Sequence, residues 1–131
     1  MPEPEQSNAS EPWYPRRAPI DGYGDGFFRF AGVRHPGSLL ILPSGMRGWR
    51  PANLTEVRQD DLDAVLAERQ ALGLLLFGVG RMMAALPGPL RAFLTVADIG
   101  FEAMDTGAAV RTYNILLAEN RAVAAALLAV P

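Results

Sequence analysis

Gly78-Val79-Gly80-Arg81 is the first place in this chain where residue types and spacing suit a ligand. Two glycines after an apolar run let a bound group approach the backbone, and arginine's forked guanidinium clamps a carboxylate or phosphate. The same glycines equally suit a tight strand exit. As a dinucleotide fingerprint the segment fails, because Met83 stands where a third glycine belongs. A second polar group follows at Asp105, Thr106, Arg111 and Asn114. Arg111 and Asn114 are three residues apart and so share a helix face, while Asp105 and Thr106 are natural helix caps. If the strands leading into both groups are parallel neighbours, Gly78, Gly80, Arg81, Thr106, Arg111 and Asn114 gather at one sheet edge, where α/β proteins bind ligands. These six are the expected ligand- or partner-binding residues. A solvated helix face is the plain alternative for Arg111 and Asn114.

No catalytic group is expected. His35 is the only histidine and precedes a proline, and Ser38 and Ser44 have no nucleophile motif around them. Asp60-Asp61 and Asp21 with Asp25 read as solvated turns rather than an acid/base couple. Trp49, between Arg47 and Arg50, suits either a partner anchor or a core position. Zero cysteines exclude disulfides, thiolate catalysis and iron–sulfur ligation, and one histidine is too few for a His-rich metal site. All 12 basic residues are arginines, so Schiff-base chemistry and a phosphate-binding lysine are excluded too. A net charge of -2 gives no basic face for nucleic acid. The expectation is no metal, no cofactor and no nucleic acid.

The elements that must position these residues fall into two halves. Residues 1–16 are Pro-, Glu- and Ser-rich and read as a flexible tail, with Trp13 and Tyr14 as its anchor and ordered structure starting near Ile20. Residues 17–131 read as one α/β domain. Phe27–Phe30, Leu39–Leu42 and Met46–Arg50 are short strands punctuated by turns at His35-Pro36-Gly37 and Pro43-Ser44-Gly45. After Pro51 the period changes: Leu62, Val65 and Leu66 mark an amphipathic helix that Asp60 or Asp61 can cap. Leu72–Phe77 reads as a strand buried on both faces, Leu90 to Ala97 as a helix, and Phe101–Met104 as a strand. Ala109, Thr112, Tyr113, Leu116 and Leu117 then stripe a third helix, Asn120 is its left-handed stop, and Ala122–Leu128 closes the chain as a strand. The fold class is therefore α/β: a strand meander followed by β-α-β-α-β.

Ile20-Asp21-Gly22-Tyr23-Gly24, Ser38-Leu39-Leu40-Ile41, Leu75 to Gly80 and Met104 to Asn114 together resemble a widespread domain-of-unknown-function family. That family includes the mitochondrial complex I (NADH:ubiquinone oxidoreductase) assembly factor three. The resemblance covers roughly Arg17 to Leu128 and implies a single three-layer α/β domain with a mixed central sheet. One departure is Val79, where the family commonly has a small hydroxyl residue between the glycines. The resemblance implies a non-enzymatic assembly or interaction protein with protein partners, among them subunits of respiratory or other membrane complexes. The alternative is an anion-binding module or enzyme using the strand-end cleft. No apolar run approaches the ~20 residues of a spanning helix, and the acidic N-terminus, with Glu3, Glu5 and Glu11, reads as neither export signal nor transit peptide. The expectation is a bacterial cytoplasmic protein, or one peripheral to the inner membrane, with homo-oligomers allowed.

Overall fold

The computed structural model describes residues 13–131, so most of the expected tail lies outside the described residues. In chain order the strands and helices are β1 (Trp13–Tyr14), β2 (Gly22–Gly24), β3 (Phe27–Phe30), β4 (Val33–Pro36), β5 (Ser38–Leu42), β6 (Gly45–Trp49), α1 (Asp63–Ala67), β7 (Leu74–Gly78), α2 (Gly88–Val96), β8 (Phe101–Met104), α3 (Thr106–Ala118) and β9 (Val123–Leu127). Among the described residues the sheet already includes Trp13, earlier than the expected Ile20. Trp13 pairs with Arg47 and Tyr14 with Met46, so the aromatic pair is an edge strand rather than part of a tail.

Every residue of β5 and β9 is buried, and so are four of the five in β7, which forces these strands to the middle of a covered sheet. The sheet order is β1-β6-β5-β9-β7-β8. β7 runs parallel to both β8 and β9, and β5 runs antiparallel to β9 and β6. The sheet is therefore mixed. Because side chains alternate, these strands feed two separate cores. Leu40, Leu42, Leu75, Phe77, Ala124 and Ala126 meet α1 and α2 on one face. Leu39, Ile41, Leu76, Val123, Ala125 and Leu127 meet α3 and the small antiparallel sheet β2-β3-β4 on the other. Three layers result, as the family resemblance implies.

The elements differ locally from expectation at two points. The helix expected around Leu62 is a 3-10 turn, Gln59–Leu62, running into the five-residue α1. Asp61 does not cap α1; its carboxylate accepts from the backbone N–H of Arg58 at 2.8 Å. His35 and Pro36 sit in β4, and the turn is confined to Gly37, whose φ is +83°. Elsewhere the punctuation follows the sequence. Asp105 caps α3 by accepting from the Ala108 N–H at 2.9 Å. Asn120, at φ +59°, stops that helix in the left-handed region.

Candidate functional site

The parallel strands β7 and β8 do bring the two polar groups of the sequence to one edge, and the residues there bind one another. Thr106 is fully buried. Its Oγ1 accepts from the Gly80 N–H at 3.0 Å and donates to the Leu128 carbonyl at 2.8 Å, while its backbone N–H donates to the Gly80 carbonyl at 2.8 Å. One hydroxyl thus ties together the exits of β7 and β9 and the start of α3. Gly80 has φ +117°, a left-handed geometry that disfavours any side chain. At Gly78 a Cβ would stand 3.1 Å from the Thr106 Cα and 3.2 Å from the Ala109 Cβ, so the glycine is what lets α3 sit directly on the sheet. Arg81 is exposed and donates to the Pro131 carbonyl at 3.2 Å.

Arg111 and Asn114 do not join that cluster. The Asn114 side chain accepts from the Ile20 N–H at 2.8 Å and donates to the Ile20 carbonyl at 2.9 Å, a two-point clamp on the chain entering β2. Tyr113 reinforces it by donating its hydroxyl to the Ala18 carbonyl at 2.8 Å, and full burial pushes that hydroxyl's pKa well up. Arg111 is exposed on α3, away from the apolar stripe as its position predicted. Of the six expected residues, Gly78, Gly80 and Thr106 share one hydrogen-bonded and packed junction. Arg81 lies beside it.

His35 is 1% exposed. A carbonyl can only accept, so His35 Nε2 carries the proton donated to the Ser38 carbonyl at 3.0 Å, and Nδ1 accepts from the Tyr14 hydroxyl at 3.1 Å. Burial holds its pKa below the ordinary 6.5, with the Ser38 bond offsetting part of that. It pins β1 to β4. Trp49 is buried too: it packs edge-on against Phe77 and donates to the Asp61 carbonyl at 2.9 Å. Asp61 forms a two-point pair with Arg50 at 2.9 and 2.7 Å. Burial alone would raise the Asp61 carboxyl, but Arg50, the Arg58 N–H and both arginine charges outweigh it and hold the pKa below the ordinary range. Among the described residues no cluster of three or more histidines or acids is placed to hold a metal.

Sequence reading passed over one feature. Met82, Met83, Ala84 and Ala85 are four consecutive exposed apolar residues in the loop between β7 and α2, with Met82 77% exposed. Leu86 anchors this loop in the core beneath α2. The signal was present as an apolar run without helical period between Arg81 and the breaker Pro87-Gly88-Pro89.

Fold and site define a three-layer α/β protein whose mixed six-stranded sheet carries an internally bonded strand-end junction and an exposed apolar loop. The chain belongs to the DUF498/DUF598 family of proteins of unknown function, which matches residues 20–128. It is 43% identical over 121 residues to an uncharacterized protein of Rhodobacter capsulatus, covering 92% of both chains. It is 24% identical over 109 residues to NADH dehydrogenase (ubiquinone) 1 alpha subcomplex assembly factor 3 of Xenopus tropicalis, covering 83% of this chain and 60% of the frog factor. Among solved structures, a Bartonella henselae protein described as an outer membrane protein superposes with a TM-score of 0.85 at 47% identity, covering 90% of this chain and 99% of that one. A Rhodopseudomonas palustris protein gives 0.80 at 42% identity, covering 92% and 89%. No helix among the described residues is long and apolar enough to cross a membrane.

Proposed function

We propose that this chain is a non-enzymatic interaction protein that assists assembly of membrane-complex subunits, respiratory ones foremost, from the cytoplasmic face of the inner membrane. The observation that carries this reading is the exposed run Met82 to Ala85. A folded protein rarely leaves four adjacent apolar residues in water without a partner for them, and methionine adapts to varied partner surfaces. Arg81 on one flank and Arg91 on α2 are both exposed and offer forked donors to an acidic rim. No acidic residue occurs from Arg81 to Ala97 to counter them. Gly78, Gly80 and Thr106 act here as the scaffold that fixes where the loop leaves the sheet. Arg111 and Asn114 fall outside the proposed contact. The resemblance to the frog assembly factor supports the class of role by analogy.

The test is co-purification from native membranes, with and without detergent, using the wild type beside a Met82→Asp/Met83→Asp variant. Respiratory-complex subunits should accompany the wild type and be lost from the variant, which should keep its melting temperature. Recovery of the same subunits by both proteins would remove the loop from the proposal. Recovery by neither, from cells dependent on respiration, would remove the assembly role.

A further inference from the structure

Arg47, on β6, is held by stacking and not by charge. Its Cζ lies 4.9 Å from the centre of the Trp13 ring, a contact set by the β1–β6 register that places the two residues opposite each other. Its Nε is buried, and among the described residues it has no hydrogen-bond partner and no carboxylate within ion-pair distance of its head. A buried donor gains from any acceptor brought within its reach. Arg47 is one of the residues lining a cleft of about 180 Å3 between β6 and the turn that leads into α1.

The other charges of this cleft decide what fits. Arg50 and Asp61 neutralise each other across two short bonds. Asp63 is exposed and has no ion-pair partner among the described residues, and Asp60 is held only loosely, at 3.9 Å from Arg58. The residues of this cleft left without a close ion pair are therefore one arginine and two aspartates, Arg47, Asp60 and Asp63. A simple anion would meet the aspartates and a simple cation would meet Arg47. A small molecule carrying both charges satisfies both, and the volume admits a small amino acid but not a nucleotide.

We propose that this cleft binds a zwitterion of the α-amino-acid type, its carboxylate on Arg47 and its ammonium toward Asp60 and Asp63. The site is independent of the Met82–Ala85 loop, and neither proposal requires the other.

The experiment is an NMR titration of the full chain with L-alanine, acetate and ethylammonium in parallel, following the Trp13 indole N–H and the Arg47 Nε–H. L-Alanine should give saturable shifts with a Kd of about 1 mM or tighter, and each single-charge probe should bind at least ~10-fold more weakly. Arg47→Lys keeps the charge but loses the fork, so it should weaken L-alanine roughly 10-fold or more. Asp63→Asn, at an exposed position with less effect on folding, should weaken it by about 3-fold or more. No saturable shift with L-alanine up to about 50 mM, far above that Kd, would overturn the proposal. So would acetate binding as tightly as L-alanine, or undiminished binding by both variants.

Discussion

The two faces of the central sheet are finished differently. On the α3 face, polar groups are consumed inside the fold: Thr106 by Gly80 and Leu128, Asn114 by Ile20, Tyr113 by Ala18. On the α1–α2 face, short 3-10 turns and a five-residue helix leave the Arg47 cleft and the exposed methionine loop. The contrast follows from helix length. α3 lays 13 unbroken residues on its face, whereas the other face divides its cover between the nine-residue α2, the five-residue α1 and 3-10 turns. Stability should reside on the first face and recognition on the second.

Substitutions can break that division, beginning with the largest expected loss. Tyr113→Ala removes a fully buried ring and its bond to Ala18, and should cost about 3–5 kcal/mol in chemical denaturation. A loss under ~1 kcal/mol would mean the α3 face is loosely packed. Thr106→Val keeps the shape but leaves the Gly80 N–H and Leu128 carbonyl without their partner, for roughly 1–3 kcal/mol. Asn114→Ala unclips Ile20 and should cost about 1–2 kcal/mol, and amide exchange should quicken at Ile20.

A pH titration sharpens the comparison at the junction of β1 and β4. His35 has a folded-state pKa below its unfolded value, so the unfolded chain binds more protons as pH falls. Its stabilising contribution is complete above pH 6.5 and is lost as pH drops through the folded-state value. Melting temperature should therefore fall on acidification below pH 6.5, and His35→Gln should flatten that dependence. A dependence unchanged by the substitution would place its source elsewhere. The smallest effects belong to exposed side chains: Met82→Ser and Met83→Ser on the recognition side, and Arg111→Ala on the solvent side of α3, should each stay within about 0.5 kcal/mol of wild type. A larger loss from either methionine would make the loop part of the core.

Much of the fold was legible because local chemistry specified it. The strands at Phe27–Phe30 and Phe101–Met104, the Asp105 cap and the Asn120 stop lie where the apolar pattern and the punctuating residues put them, and the strand expected at Leu72–Phe77 runs from Leu74 to Gly78. The alanine-rich β9 was harder, since alanine favours helices; burial between two cores overrode that preference. The expected start of order near Ile20 missed Trp13–Tyr14. Nothing local marks a two-residue strand whose partners lie 34 and 32 positions away in sequence, at Arg47 and Met46.

By itself the sequence determined the elements, their caps and the inward-facing stripes, because those depend on near neighbours and on a period of two or 3.6 residues. Only the tertiary structure decided that the last strand enters the middle of the sheet, between β5 and β7. The same holds for the polar residues. Spacing placed Thr106 and Asn114 as candidates for a ligand, but backbone groups from Gly80, Leu128 and Ile20 reached them first. Arg47, which spacing did not single out, is left with its donor unfilled. Whether a polar group is spent or free depends on which distant backbone comes within hydrogen-bond range, and that is set by packing rather than by sequence neighbours.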